Sequence, residues 1–135
     1  MSVYVDTSAL LAVLDEQEER HAVAHAVWLE LLDGEPELVC SSHTQLETFA
    51  LAQNRLGVDA VRVLDDEICP ALTIEWVTKD DHRAAVASLL AANRRQLSLV
   101  DCASFTVMRR LGVRRVFAFD PHFQEFGFGS IPDGG

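Results

Sequence analysis

The sequence has few of the residues that mark secreted, disulfide-bonded proteins. It contains only three cysteines, Cys40, Cys69 and Cys102. They are an odd number, they are far apart, and they stand among apolar residues, so they fit neither a disulfide framework nor a zinc site. We therefore predict three reduced thiols in the interior of a cytoplasmic protein.

Long apolar runs are also absent. The first apolar run ends at Asp6, no basic stretch precedes it, and later runs are far shorter than the roughly 18 residues that span a bilayer. This pattern predicts neither a signal peptide nor a membrane span. We expect no membrane partner.

Positive charge is scarce and unevenly placed. The chain has 11 basic and 21 acidic residues, a net charge of −10, which argues against a protein that coats nucleic acids in general. Residues 1–70 carry 14 acids and 3 bases, whereas residues 71–135 carry 7 acids and 8 bases. Six of these late bases form the pairs Arg94-Arg95, Arg109-Arg110 and Arg114-Arg115. Arginine suits phosphate binding, although solvated helix ends are the favoured explanation for any single pair.

The order of apolar segments predicts an α/β protein. Its 135 residues, 49% of them hydrophobic, fit one domain over residues 1–135. Short β-type runs alternate with helical stretches, which is typical of a parallel sheet with helices on its faces. We predict strands at residues 3–5, 38–40, 73–77 and 116–119, and a weak edge strand at 128–131. Predicted helices are residues 8–14, 18–32, 44–56, 58–69, 79–92 and 99–111, with a turn after Pro121.

Four acidic residues stand where predicted strands give way to helices or one turn inside a helix. In VYVDTSALL, Asp6 directly follows an apolar strand, and Asp120 does the same in VFAFDPHF. In LSLVDCASF, Asp101 is the only charged residue between Arg95 and Arg109, in a helix that is apolar around most of its circumference. In SSHTQLETF, Glu47 lies about one turn into a helix. Ligands of open α/β sheets bind at the carboxyl ends of the strands, so these acids are candidates for one site.

Helix capping is the alternative explanation for each acid. Asp6 and Asp120 are suitable N-caps, and the pairs Ser98–Asp101 and Thr44–Glu47 have the spacing of a capping box. The pair Thr78–Asp81 has the same spacing after a predicted strand. Capping alone can therefore place acids at helix starts.

Burial favours a metal site over caps alone. An unpaired carboxylate inside an apolar helix costs several kcal/mol, and no basic residue is near Asp6, Asp101 or Asp120 in the sequence. Carboxylates brought together without counter-charges raise one another's pKa. Mg²⁺ or Mn²⁺ would relieve this repulsion, bind phosphate oxygens and acidify a water, so such a site needs no catalytic histidine.

These motifs together resemble the PIN domain, and most closely the VapC-type toxins of VapBC toxin–antitoxin pairs. VYVDTSALL, a glutamate at a helix start in mid-chain, SLVDCASF and FAFDPHF occur in that order over essentially the whole chain. The resemblance implies a three-layer α/β/α sandwich with a central, mainly parallel sheet, and an endoribonuclease that depends on Mg²⁺ or Mn²⁺.

By position, the resemblance assigns catalysis and metal binding to Asp6, Glu47, Asp101 and Asp120, and places the Ser8 hydroxyl near the first acid. One departure is Ala118, because relatives often have Thr or Ser two residues before the last acid. With an RNA substrate implied, we predict that RNA approaches over the C-terminal half. The predicted substrate-binding residues are Ser8, Arg94, Arg95, Arg114 and Arg115.

The resemblance also implies partner proteins. The early helices of VapC-like proteins help to form the groove for the antitoxin, so an exposed apolar stripe at Trp28, Leu29 and Leu32 would mark that site; ordinary core residues are the alternative. Other helices are implied to form a homodimer. The alternatives for function are a non-toxin PIN nuclease that processes RNA and a catalytically weak PIN-like binding module.

Other signals are weaker. His21 and His25 share a helix face, but no third ligand accompanies them, so we assign them to a solvated face. For His122 we expect a structural role in its turn, with contact to RNA as the alternative. A haloacid-dehalogenase-type phosphatase would need an acid at Ser8, and a receiver domain would need paired acids after the first strand.

Overall fold

A computed structural model describes residues 1–133 of the chain. Five strands form one sheet: β1 (Ser2–Val5), β2 (Glu37–Ser41), β3 (Thr73–Glu75), β4 (Arg115–Phe117) and β5 (Gly129–Ile131). The α-helices are α1 (Thr7–Leu14), α2 (His21–Asp33), α3 (Ser42–Leu56), α4 (Val58–Val63), α5 (Lys79–Ala92), α6 (Leu99–Leu111) and α7 (His122–Glu125). Among residues 1–133, no helix has both the length and the apolar character needed to cross a bilayer.

The sheet has the order β3-β2-β1-β4-β5, and all four neighbouring pairs are parallel. The predicted α/β class is therefore confirmed, with a wholly parallel sheet. β1 is the central strand, and the chain leaves it towards β2 on one side and returns as β4 on the other. The carboxyl ends of β1 and β4 thus form the topological switch point, where open α/β sheets bind ligands.

The side chains of each strand point alternately to the two faces of the sheet, and this produces two separate hydrophobic cores. Val3 and Val5 of β1 pack in one buried cluster with residues of α1 and α2, while Tyr4 between them belongs to a second cluster with residues of α5 and α6. Successive side chains of a strand point to opposite faces, so each strand contributes to both cores. This arrangement gives the three layers of an α/β/α sandwich.

Two of the predicted elements end early in the structure. β3 ends at Glu75, two residues early, because the Val77 N–H donates to Ser42 Oγ (3.0 Å) instead of continuing the strand. The predicted helix 58–69 ends at Val63 and continues as a π-helical turn, Leu64–Ile68, and a 3-10 turn that contains Pro70. Proline has no N–H for a helical hydrogen bond, so a regular α-helix does not continue through Pro70.

The predicted capping boxes have mixed outcomes. Ser98 and Asp101 form one at the start of α6, and Thr78 and Asp81 form another at the start of α5. The box predicted at Thr44–Glu47 is wrong, because α3 begins earlier, at Ser42. Thr44 lies inside the helix, and its hydroxyl lies 2.8 Å from the buried Tyr4 hydroxyl.

A buried polar network joins the centre of the sheet to α3 and α6. The Tyr4 hydroxyl lies 2.7 Å from Ser41 Oγ and 3.3 Å from Ser104 Oγ. His43 Nδ1 lies 2.7 Å from Ser41 Oγ, and its Nε2 lies 3.2 Å from the Val100 carbonyl oxygen. Because a carbonyl only accepts, Nε2 carries the hydrogen and Nδ1 accepts from Ser41. The network fixes the start of α6 relative to β1 and β2.

A second anchor holds α6 against α5 and β3. Arg110 donates two hydrogen bonds to Asp81 (2.9 and 2.8 Å) and one to Glu75 (2.8 Å). The Asp81 side chain is only 4% exposed, whereas that of Glu75 is 32% exposed. Arg110 lowers the pKa of Asp81, so this pair stabilises the fold at neutral pH and loses strength as the pH falls.

We expect Asp81→Asn to lower the free energy of unfolding by about 1.5–3 kcal/mol, and Glu75→Gln by less than about 1 kcal/mol. Both changes remove one carboxylate charge beside Arg110, at sites that differ in burial and in the number of hydrogen bonds that Arg110 donates. Urea denaturation at neutral pH would measure the difference. Equal losses would mean that neither burial nor the second hydrogen bond sets the strength of this ion pair.

Candidate metal centre

Three of the predicted acids meet at the switch point of the sheet. Asp6 follows β1, Asp120 follows β4 by three residues, and Asp101 lies in the first turn of α6. Asp101 and Asp120 are close enough to Asp6 to raise its pKa. We call the surface formed by Asp6, Asp101 and Asp120 the acid edge.

Asp6 is both a helix cap and a buried acid. It is the N-cap of α1, and its Oδ2 accepts hydrogen bonds from the backbone N–H (3.1 Å) and the hydroxyl (2.6 Å) of Ser8. Burial raises the pKa of Asp6 to about 6; the Ser8 hydrogen bonds oppose this rise, and Asp120 and Asp101 add to it. Asp6 therefore caps a helix and also lies close to two other carboxylates.

Ser8 links the first acid to the segment that carries the last one. Its hydroxyl donates to Asp6 and accepts the backbone N–H of Phe119 (3.0 Å), the residue before Asp120. This bond also ends β4, since the Phe119 N–H is withdrawn from the sheet. Ser8 thus sets the spacing between the two strand ends. Its predicted contact with substrate stays a prediction.

Asp101 and Asp120 approach each other from different elements. Asp101 is the third residue of α6, where its backbone N–H donates to the hydroxyl of the N-cap Ser98 (3.0 Å). Asp120 Oδ1 accepts the backbone N–H of His122 (2.9 Å). Burial raises the pKa of Asp101, and the neighbouring Asp120 raises it further. The Asp101 side chain is 13% exposed, so one side of it still reaches solvent.

His122 lies beside the acids, although the sequence analysis expected a structural role in its turn. It is the first residue of α7, after Pro121, and its side chain points to the acids. The Nδ1 atom lies 2.9 Å from Asp120 Oδ1 and 3.5 Å from Asp101 Oδ2. The D-P-H-F run, from Asp120 to Phe123, was the available signal.

This donor set fits a divalent cation. Three side chains each offer one possible ligand atom, and these atoms lie within 4.8 Å of one another: Asp101, Asp120 and His122. No other such group occurs among residues 1–133. Carboxylate oxygens suit Mg²⁺ and Mn²⁺, and imidazole nitrogen is a further ligand for transition metals. Burial is the main cause of the raised pKa of Asp6, and the charges of Asp120 and Asp101, which such a cation would offset, add to it.

Glu47 lies on α3 and is not part of that group of three. It is half-buried, between two buried threonines of α3. These are Thr44, whose carbonyl oxygen lies 3.3 Å from Thr7 Oγ1, and Thr48, whose hydroxyl lies 3.0 Å from the same atom. Because Thr7 follows Asp6, this turn of α3 packs beside the acid edge. The role of Glu47 as a ligand stays a prediction.

The predicted arginines lie at two ends of the molecule. Arg94 and Arg95 are exposed in the loop before α6, the helix that begins at the acid edge, and Arg94 forms an ion pair with Glu125 of α7. Arg114 and Arg115 lie at the amino end of β4, in parallel register with the start of β1. The structure therefore brings Arg94 and Arg95, but not Arg114 and Arg115, to the end of the sheet where the acids lie.

Arg20 is a further cation that the sequence did not single out. Its guanidinium lies 5.2 Å from the centre of the Phe119 ring, next to Asp120. It precedes α2 in the acidic half of the chain, so neither sequence distance nor local charge indicates the proximity. The structure thus places one basic residue of the N-terminal half near the acid edge.

The pKa of Asp6 makes a testable difference to stability. Since its native pKa of about 6 exceeds the ordinary value of 3.8, the native state holds a proton that the unfolded state has lost between these values. The free energy of unfolding of metal-free protein should therefore fall as the pH rises through this window. Asp6→Asn removes the titration and keeps an oxygen to cap α1, so the variant should be more stable than wild type near neutral pH, by at most about 3 kcal/mol.

Chemical denaturation in EDTA-stripped buffer from about pH 4 to pH 7 would measure this difference. The exposed Asp33→Asn is the control. A stability difference between Asp6→Asn and wild type that does not change with pH would contradict the expectation.

Comparison with known proteins agrees with this geometry. Residues 3–129 match the PIN domain family. The chain is 32% identical over 127 residues to the 23S rRNA-specific endonuclease VapC20 of Mycobacterium tuberculosis, recorded in two strains, and the match covers 93% of this chain and 95% of the relative.

A crystal structure of Mycobacterium tuberculosis VapC20, described as a sarcin-ricin loop cleaving toxin, has the same fold. It superposes with a TM-score of 0.84 at 31% identity and covers 94% of this chain and 96% of that one. The family match over residues 3–129 and the superposition agree with the α/β fold described above. The chain belongs to the PIN domain family.

Proposed function

We propose that this protein is a metal-dependent endoribonuclease and the toxin of a type II toxin–antitoxin system. The observation that carries the proposal is the convergence of Asp101, Asp120 and His122 within 4.8 Å beside the buried Asp6. The relationship to an rRNA-specific endonuclease supports an RNA substrate. Because the relative of known structure is described as cleaving the sarcin-ricin loop, we propose a looped RNA, with ribosomal RNA as the first candidate.

The residues divide the work in a simple way. Asp6, Asp101 and Asp120 would hold Mg²⁺ or Mn²⁺, with Glu47 beside them. A cation bound there supplies Lewis-acid polarisation of the phosphate and acidifies the attacking water. Ser8 keeps Asp6 in position through two hydrogen bonds. The side chains of Asp101 and Asp120 are 13% and 24% exposed, so a phosphodiester can approach both carboxylates from solvent.

A protein partner is the second part of the proposal. Leu29 and Leu32 of α2 are 51% and 46% exposed, whereas Trp28 is buried and belongs to the core. A groove of about 330 Å³ lies between α1, α2 and the π-helical turn, next to Leu29. We propose that an antitoxin binds this groove, and purification from the native host that never yields a complex would contradict this.

Two further proposals follow from the family. A homodimer stays a prediction, which light scattering of the purified protein would test. We also propose a cytoplasmic location, where an RNA substrate would be met, and Cys40 and Cys102, which are buried and unpaired, agree with a reducing compartment. Detection of the native protein outside the cytoplasm would contradict that location.

We expect RNA cleavage to require Mg²⁺ or Mn²⁺ and to fall by roughly 100-fold or more in Asp101→Asn, because the variant loses a charged ligand. The assay would follow cleavage of an end-labelled RNA hairpin by purified protein with and without EDTA. Asp65→Asn, on the exposed π-helical turn, is the charge-matched control. Cleavage that resists EDTA, or an Asp101→Asn variant as active as this control, would refute the nuclease proposal.

The two arginine pairs give a second matched test. Replacing Arg94 and Arg95 by Ala should weaken RNA binding. The slope of log K against log salt concentration should become shallower by about 1.4, or about 0.7 for each lost phosphate contact. The same replacement at Arg114 and Arg115 removes equal charge at the opposite end of the sheet and should have a smaller effect. Filter binding across a salt series would compare them. Equal losses would show that the RNA spans both ends of the molecule.

A further inference from the structure

We propose that His122 is a metal ligand through Nδ1, so that the centre is a mixed carboxylate–imidazole site rather than one of carboxylates alone. This inference rests on the proposed metal-dependent function and adds to it the chemical nature of one ligand. The inference follows from three properties of His122 Nδ1: this atom lies near Asp120 and Asp101, it is buried, and it has no hydrogen-bond partner among residues 1–133. A nitrogen ligand also changes which cation the centre prefers.

The distances match those between adjacent ligands of one ion. A cation with octahedral geometry and ligands at about 2.1 Å places neighbouring ligand atoms about 3.0 Å apart. His122 Nδ1 lies 2.9 Å from Asp120 Oδ1 and 3.5 Å from Asp101 Oδ2. Both separations fit adjacent coordination positions, with a small adjustment for Asp101.

The Nδ1 atom of His122 is buried, and it has no aligned hydrogen-bond partner among residues 1–133. Asp120 Oδ1, the nearest carboxylate oxygen, already accepts the backbone N–H of His122. An imidazolium paired with this carboxylate would need an N–H that points at the oxygen, and the ring does not offer one. A buried polar atom without a partner is costly, and a ligand would satisfy it.

The ring is held in place by the packing of α7 on α6. Phe123, the next residue, is completely buried, and its ring meets that of Phe105 edge to face at 5.1 Å. The ring of Phe126 also stacks on the ring of Phe105, with 4.9 Å between the ring centroids. Because Phe105 and Asp101 are one turn apart on α6, this packing fixes His122 relative to Asp101. A ligand must be held in this way to bind a metal without a large loss of entropy.

A nitrogen ligand predicts a preference between metals. Mg²⁺ binds oxygen almost exclusively, whereas Mn²⁺ and later transition metals accept imidazole. His122 should therefore favour Mn²⁺ over Mg²⁺ at this centre. His122→Asn should weaken Mn²⁺ binding by roughly tenfold or more and Mg²⁺ binding by a smaller factor.

The direct test is electron paramagnetic resonance of Mn²⁺ bound to the wild-type protein. We expect a coupling between the electron spin and an imidazole nitrogen. It should disappear in His122→Asn and His122→Gln and remain in His82→Asn, an exposed histidine that serves as the control. Calorimetric titration with Mn²⁺ and with Mg²⁺ would measure the two affinities.

The outcomes separate the inference from the proposed function. Bound Mn²⁺ without nitrogen coupling in wild type overturns the role of His122, and so does a coupling that persists in both variants. If Asp101→Asn still abolishes binding and cleavage in that case, the nuclease proposal stands. No Mn²⁺ binding in wild type, together with cleavage that resists EDTA, overturns both.

Discussion

The crowding of negative charge at the switch point of the sheet is the constraint on which the site depends. A parallel sheet brings the carboxyl ends of β1 and β4 side by side, so the residues that follow them must share a small volume. In this chain those residues include Asp6 and Asp120, and α6 adds Asp101. Among residues 1–133, no lysine or arginine forms an ion pair with these acids, and His122 is the ionisable partner of Asp101 and Asp120. A bound cation is the simplest compensation for the charges of Asp101 and Asp120, which add to the effect of burial on the pKa of Asp6.

The same acids also help to build the fold. Asp6 caps α1, Asp101 forms a capping box with Ser98, and Asp120 accepts the N–H that begins α7. These bonds hold each carboxylate at a fixed angle, which is what a metal ligand requires, and capping is therefore part of how the site is preorganised. The contrast with Asp81 shows the difference. Asp81 forms an equally good capping box, but Arg110 neutralises it, and so it serves stability alone.

Several features of the site were accessible from the pattern of residues along the chain. Apolar runs followed by an acid located Asp6 and Asp120, and the apolar surroundings of Asp101 indicated an unusual burial. The α/β class followed from alternating elements, and helices α5 and α6 have the predicted bounds, because Thr78 and Ser98 cap their starts and Gly112 ends α6 with positive φ. A predicted boundary was wrong where a side chain from another element accepts a backbone hydrogen bond, as the Ser42 hydroxyl does from the Val77 N–H.

The sequence by itself determined the alternation of strands and helices, the acids at strand ends and the family resemblance, since these depend on residues close together in the chain. Only the tertiary structure decided which of them meet. It placed Arg114 and Arg115 at the end of the sheet away from the acids, brought Arg20 beside Phe119, and turned the His122 ring into the space between Asp101 and Asp120. The physical reason is that strand order and the packing of α7 on α6 set these distances, and both depend on contacts between residues far apart in the sequence.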